Sequence, residues 1–314
     1  MATTVDAFLS RLKHRITTPS SQALLTDPQM LIMADDVMRE RIVPTMLSIN
    51  QNFFVVPYEE TLVAEQAVYQ IPYRSIGRGL RDLKIRMGTD TSDAVSSLSL
   101  IALEDAHLFG GPGVPFGFYF RGDKVVMVPT PVSAGYELLG WYNLQPSALV
   151  STSAACLVSS ISDDVVTCTN VPSTFTAGTV IDFVQGQSGC SIIEMDVSIT
   201  NVSGTQITFA TDAVPDDLVA GDYIALKQQT PVIPLPDEAV PLLEVWTAER
   251  ILYAVGDFEG AQILANRAGE IAVNCKDVLS PRIEGEPTKI VNRNGLLRGK
   301  GFNWWNNRRF GYYP

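Results

Sequence analysis

The segment TPVIPLPDEAVPLLEVWTAERILYAV, residues 230–255, changes character at its middle. Its first part, Thr230–Asp237, holds Pro231, Pro234 and Pro236 and reads as a stiff, extended connector. From Asp237 or Glu238 the pattern turns helical, with Val240, Leu243, Val245, Trp246, Ala248, Leu252 and Val255 on one wide apolar face. The chain before this segment, as far back as Phe53, has a period near two, and the chain after it is helical again. The connector is therefore where a β-rich middle returns the chain to a helical group.

Working outward, Gly256-Asp257 supplies a helix-ending glycine and the next N-cap. A second helix runs from about Phe258 to Leu279 with Ala261, Leu264, Ala268, Ile271, Ala272 and Cys275 in one stripe, and Ser280-Pro281 stops it. At the other end of the chain, Val5, Phe8, Leu9, Leu12 and Ile16 repeat at helical spacing. After Pro19-Ser20-Ser21, Asp27-Pro28 starts a helix reaching about Ile49, with Met30, Ala34, Val37, Met38, Ile42 and Met46 inward and a kink expected at Pro44.

The strands expected between these ends are Phe53–Pro57, Val68–Pro72, Leu83–Met87, Leu98–Ala102, Gly117–Arg121, Lys124–Pro129 and Tyr136–Tyr142. Gly122-Asp123 turns a hairpin, which absorbs the Arg121-Gly122-Asp123 tripeptide as turn chemistry. Gly110–Gly113 reads as a loop. From Ser151 to Lys227 the chain is rich in Ser, Thr, Val and Gly with Lys227 its one basic residue, and short alternating runs predict a small sandwich or barrel. The fold class expected is α+β: a helical-bundle core of N- and C-terminal helices (1–52 and 231–281), a β-rich region (53–150), an inserted small all-β module (151–230) and an extended C-terminal tail (282–314).

Composition narrows function by exclusion. At 314 residues the chain has about two domains' worth of length. Its 46% hydrophobic and 18% charged content supports a real core. No window approaches the ~18 uncharged apolar residues of a membrane span, and Met1–Leu12 lacks the apolar region of a secretory signal. Four cysteines without C-x-x-C spacing and two histidines, His14 and His107, offer no zinc pattern, and no cofactor is expected; the cysteines read as reduced. No nucleophile elbow or phosphate loop occurs. The pairs Asp35-Asp36, Glu59-Glu60, Asp163-Asp164 and Asp216-Asp217 are the carboxylates a glycosidase would need, but Asp35 and Asp36 diverge by about 100° on a helix and read as exposed, and the others flank turns. No catalytic, cofactor or metal residue is assigned.

The net charge is −11, unevenly placed. Pro287–Pro314 carries six basic residues and no acid, leaving 17 basic against 34 acidic side chains, a net of −17, in the rest. An acidic body repels nucleic acid, and a basic tail marks an interaction segment. That tail crowds Phe302, Trp304, Trp305, Phe310, Tyr312 and Tyr313 together with Arg308 and Arg309. Each aromatic has roughly 150–250 Å² to bury, and Trp and Arg dominate binding hot spots. Such a segment either folds back on its own chain or docks on another subunit; docking is the functional reading.

Five stretches carry a resemblance: AVYQIPYRSIGRGLRDLKI (67–85), FRGDKVVMVPTP (120–131), GWYNLQPSALV (140–150), GDYIALKQQTPVIPLPDEAVPLLEVWTAERIL (221–252) and LSPRIEGEPTKIVNRNGLLR (279–298). In this order, behind an N-terminal helix pair, the chain resembles a tailed-bacteriophage head-to-tail connector, the adaptor or neck protein below the portal. The resemblance implies a ring, usually of twelve copies, with a helical-bundle core. It implies a portal protein above, tail or tail-terminator and nozzle proteins below, and DNA passing through the channel without sequence-specific binding or any membrane contact. It places the chain in the virion neck after assembly in the host bacterial cytoplasm, and gives the portal-reaching role of the C-terminal extension to Phe302–Pro314. It implies no catalytic residue. The alternatives are a tail-associated peptidoglycan hydrolase and a carbohydrate- or receptor-binding tail protein.

Overall fold

A computed structural model describes residues 2–16, 25–88, 94–109, 111–187 and 192–280. Helix α1 (Val5–Arg15) starts under Thr4, whose hydroxyl accepts the Ala7 N–H at 3.3 Å, and buries Val5, Phe8, Leu9 and Leu12. Helix α2 (Asp27–Val37) is capped by Thr26 rather than Asp27: the Gln29 side chain accepts the Thr26 N–H at 2.9 Å in a reciprocal capping box. The rod then widens into a π turn, Met38–Ile42, and resumes as α3 (Val43–Ile49). Pro44 explains the widening, because its ring lacks an N–H and crowds the carbonyl four residues back.

Helix α4 (Val240–Val255) is buried on every side over its first three turns, including Glu244, Thr247 and Glu249. The single apolar face read from the sequence is thus too narrow at the start of the helix and too long at its end, where Val255 is 45% exposed. Gly256 takes a left-handed conformation (φ 92°) that closes α4, and Asp257 Oδ1 accepts the Gly260 N–H at 2.9 Å to open α5 (Phe258–Leu279). Ala261, Ala268 and Cys275, seven apart, form the buried stripe of α5.

The helical-bundle core expected from the sequence is overturned. The fold is mixed and mostly sheet: five sheets stand against helices that make up 31% of the described residues. The helices do pack together, but their cluster also needs Phe54, Leu149, Ile233 and Leu235 from extended segments. Helical turns also occur between strands, at Ile76–Arg78, Ala106–Leu108 and Thr152–Ala154, so helix is not confined to the two ends. Two other substantial cores are built without helices, by strands and by loop residues such as Phe175, Phe209 and Leu218. Periodicity finds each element but does not report which apolar faces meet, and here most strands bury their faces against other strands.

One four-stranded antiparallel sheet has the order Val55–Thr61, Glu137–Asn143, Asp82–Arg86, Val95–Ser97. A second has the order Val68–Gln70, Lys124–Val128, Gly117–Arg121, Ser99–Leu100, the last pair parallel. Between them lie Tyr58, Tyr69, Leu83, Ile85, Phe118, Val125, Met127 and Leu138. The hairpin turns at Gly122 (φ 65°), with Arg121 opposite Lys124. Of the expected strand Leu98–Ala102 only Ser99–Leu100 is strand; Val95–Ser97, just before it, belongs to the first sheet, and beyond Ile101, whose N–H still donates to Phe118 O at 2.8 Å, the chain as far as Phe109 leaves the sheets as a lobe held by local turns.

The residues from Cys156 to Leu226 form a seven-stranded sheet whose outermost strands are Ile192–Ser198 and Asn201–Ser203. These two are consecutive in the chain, with Ile199 and Thr200 alone between them, so the sheet curls until its edges meet in one bent segment and closes as a barrel. Strand Cys156–Ser162 pairs with Tyr223–Leu226 on one side and Val165–Cys168 on the other, with a bulge after Val158 that turns the corner. Phe183, Phe209, Ile181, Ile207 and Ile224 fill the interior. The chain enters and leaves side by side, where Ala148–Leu149 pairs in parallel with Gln229–Thr230.

Phe8 is fully buried in the helical cluster. Phe8→Ala is expected to lower stability by about 3–5 kcal/mol, read from urea unfolding followed by circular dichroism.

Candidate functional site

The densest polar constellation among the described residues sits where the paired sheets meet the barrel. After strand Val68–Gln70 the chain turns through Pro72-Tyr73-Arg74-Ser75 and drives Arg74 inward until it is 3% exposed. Its partner Asp182, on barrel strand Val180–Val184, is 0% exposed. The pair is bidentate, Nη1 to Oδ2 and Nη2 to Oδ1, both at 2.8 Å. Asp182 also accepts the backbone N–H groups of Asp196 at 3.1 Å and Gln228 at 2.9 Å. Both of those residues have positive φ, near 60°, which is how the barrel turns aim amides at one carboxylate. Two oxygens thus take four donors, which is what a desolvated carboxylate needs.

The network extends outward to solvent. Arg74 Nε donates to the Tyr73 hydroxyl at 2.8 Å, which donates to Asp196 at 2.8 Å. Arg74 Nη2 reaches Asp196 at 2.9 Å, and Lys227 Nζ lies 3.1 Å from the same carboxylate and 4.5 Å from the Tyr73 ring centre. Burial alone would lower the Arg74 guanidinium, but hydrogen bonds to Asp182, Tyr73 and Asp196 raise it overall. Asp196 is held below the ordinary carboxylate range: hydrogen bonds from Tyr73, Lys227 and Arg74 outweigh its burial. Such a matched set of charges holds its protons and fastens two parts of the fold.

Helix α4 carries a second set. Buried Glu244 accepts from Arg15 at 2.8 Å with Arg11 at 3.5 Å, Glu249 pairs with Arg41 at 2.9 Å, and Arg250 reaches Asp36 at 3.1 Å and Glu40 at 2.7 Å. These contacts tie α4 to α1 and to the α2 rod. The expectation that Asp35 and Asp36 are simply exposed is corrected here. Both are half-buried, and Asp35 Oδ1 accepts the Leu149 N–H at 2.9 Å, joining α2 to the stem of the barrel. Burial lifts the Asp35 carboxyl to about 6, against the lowering effect of the Leu149 bond and Arg39.

The remaining carboxylate pairs stay apart. Glu59 and Glu60 are neighbours on one strand and point to opposite faces, Asp163 and Asp164 lie in a turn, and Asp216 and Asp217 are exposed. His14 and His107 are both exposed. Cys156 and Cys168 face each other inside the barrel; hydrogen bonding to Cys168 and burial raise the Cys156 thiol, which disfavours its thiolate at neutral pH. Among the described residues no three His, Cys, Asp or Glu side chains are grouped to hold a metal ion, and no helix is long and apolar enough to cross a membrane. The docking residues Phe302, Trp304, Trp305, Arg308, Arg309, Phe310, Tyr312 and Tyr313 lie outside the described residues.

The surface adds what the interior lacks. Leu100, Leu103, Leu108, Phe109, Phe116 and Phe120 are all exposed, Leu103 at 59% and Leu108 at 66%. Phe109 and Phe116 meet edge-on at 5.1 Å, which gathers part of this apolar surface at the base of the Ile101–Phe109 lobe. Elsewhere, a cavity of about 230 Å³ is lined by Arg39, Val43, Ile76, Gly77, Gln145 and Pro146. Comparison of the chain with models of known protein families and with characterised proteins finds no match.

Two measurements test this account. Arg74→Met leaves Asp182 buried beside no cation and is expected to cost about 3–5 kcal/mol in urea unfolding, while Arg74→Met with Asp182→Asn regains at least half of the loss. Because the folded-state pKa of Asp35 lies above its unfolded value near 4, its contribution to stability falls as pH rises from about 4 to about 6. Asp35→Asn keeps an acceptor for Leu149, so thermal melts across that window should lose this downward slope and show a more stable protein at pH 7.

Proposed function

We propose that the chain is a non-enzymatic virion structural protein, a head-to-tail adaptor that forms a ring between portal and tail around the DNA channel. The observation that carries this reading is the run of exposed apolar side chains between Leu100 and Phe120, gathered in part by the Phe109–Phe116 contact, since apolar surface of this kind suits a contact with another protein. It is joined by the five stretches that resemble connector proteins and by the basic, aromatic composition of the C-terminal segment. On this reading the protein is a passive coupling. The buried ion pairs keep each copy rigid, the apolar surfaces meet neighbours, and Phe302, Trp304, Trp305, Arg308, Arg309, Phe310, Tyr312 and Tyr313 anchor the ring to the portal. Twelve copies at −11 each sum to −132, so a duplex passing an acidic wall finds few cations to hold it.

Trp304→Ala with Trp305→Ala is expected to reduce co-sedimentation with the portal by about tenfold or more while leaving the circular dichroism spectrum unchanged, since such anchors are worth about 2 kcal/mol or more each. Unaltered co-sedimentation removes the tail from the mechanism. Micrographs of whole particles whose head–tail junction lacks the chain remove the adaptor reading itself.

A further inference from the structure

The lobe and the cavity described above have complementary chemistry. The lobe, Ile101–Phe109, leaves the sheets and is held by its own turns: Asp105 N–H to Ala102 O at 3.0 Å and Leu108 N–H to Asp105 O at 3.0 Å. At its tip Leu103, Glu104, Asp105 and Leu108 are all exposed, and the segment from Ser99 to Phe120 has no lysine or arginine. It is an apolar knob with two negative charges.

The cavity is the converse. Its walls are Val43, Ile76 and Pro146, its rim is the exposed Arg39, and the exposed Arg78 follows its lining residue Gly77. Arg78, Glu104 and Asp105 have no ion-pair partner among the described residues, and Arg39 makes no ion-pair contact there, its charge acting on Asp35 only from a distance, although most other cations of the helices and the adjoining sheet are paired. At about 230 Å³ the cavity exceeds the roughly 150 Å³ that accepts a benzene ring, so a leucine side chain fits.

We infer that the Leu103–Leu108 knob of one copy of this chain inserts into the Arg39–Ile76–Pro146 socket of a second copy, with Glu104 and Asp105 facing Arg39 and Arg78. Knob and socket are different surfaces of the same chain, so the contact is head-to-tail and leaves the socket of the first copy and the knob of the second still free. Repetition around an axis gives a closed ring or a filament. The inference rests on the proposed ring and identifies the surfaces that would build it.

The test uses the full chain and two surface variants. In the first, Glu104→Arg with Asp105→Arg makes both knob and socket positive. In the second, Arg39→Glu with Arg78→Glu makes both negative. Sedimentation velocity should show native self-association, about tenfold or greater weakening in each variant alone, and recovery when the two are mixed, because each then offers the partner the other lacks. Circular dichroism checks that the variants fold. A native chain that stays monomeric at its highest soluble concentration overturns the inference, as do variants that associate like the native chain or a mixture that does not recover. A native ring that neither variant disturbs removes this interface but leaves the adaptor reading standing. Particles lacking the chain at the head–tail junction remove the adaptor reading without touching a self-association that the mixture rescues.

Discussion

The contact between Arg74 and Asp182 constrains more of this molecule than any other. A barrel hung on one pair of short parallel strands, Ala148–Leu149 beside Gln229–Thr230, has a narrow stem. Arg74 reaches across from the paired sheets to Asp182, 108 residues away in sequence, and fastens the barrel at a second point. The chemistry limits how that fastening can fail. Desolvating a guanidinium and a carboxylate costs several kcal/mol per ion, offset only while the geometry is complete. The pair therefore tolerates little sliding, because a small shift loses both bidentate bonds together. Well-packed apolar residues could supply equal stability, but they would not fix orientation in the same way.

Glu244 and Glu249 repeat the logic inside the helical group. Helix α4 is surrounded, so its carboxylates must be met by cations that arrive from other elements: Arg15 from α1 and Arg41 from the π turn. The π turn matters here. By adding a residue to the turn before Pro44 it changes the angular position of everything between Met38 and Ile42, and Arg41 is in that stretch. A proline that reads as a kink in the sequence thus also sets which side chain reaches α4. Asp36 and Glu40 both meet Arg250, which adds a third tie along the same pair of rods.

The legible part of the sequence reflects this division of labour. Apolar periodicity located α1, the α2 rod and α5, and the hairpin at Gly122, because those features depend on residues within a few positions of one another. The fold class was not legible, since the same alternation in Val125–Val128 or Val165–Cys168 is compatible with strands covering a helical core or covering each other. Asp182 was the available clue to the fastening: one acid inside the apolar run Val180–Val184. A single acid at such a place says that a donor set must exist, and nothing local says that Arg74 supplies it. Asp35 was misread for a related reason. The divergence of adjacent helical residues is correct, but exposure depends on what packs against the helix, and the barrel stem arrives from over a hundred residues away. The tail residues from Phe302 to Tyr313 keep only their compositional argument.

The interior and the surface make opposite demands, and the proposed role depends on both. Inside, charges are matched closely enough that moving one part of the fold against another loses several bonds at once. Outside, the lobe from Ile101 to Phe109 leaves apolar area and two acids exposed, and the cavity rim leaves Arg39 and Arg78 exposed. One knob in a socket of about 230 Å³ is a small contact beside interfaces that bury roughly 1,200–2,000 Å², so two copies alone would hold each other weakly. Closure of a ring changes the arithmetic, since the last contact forms at the high effective concentration set by all the others. That gain requires each copy to present knob and socket at a constant angle, because a flexible copy spreads its contacts over many geometries and closes none of them. The buried Arg74–Asp182 pair and the α4 carboxylates are what would hold that angle constant, which makes the stiffness of the single chain the precondition for assembly from individually weak contacts.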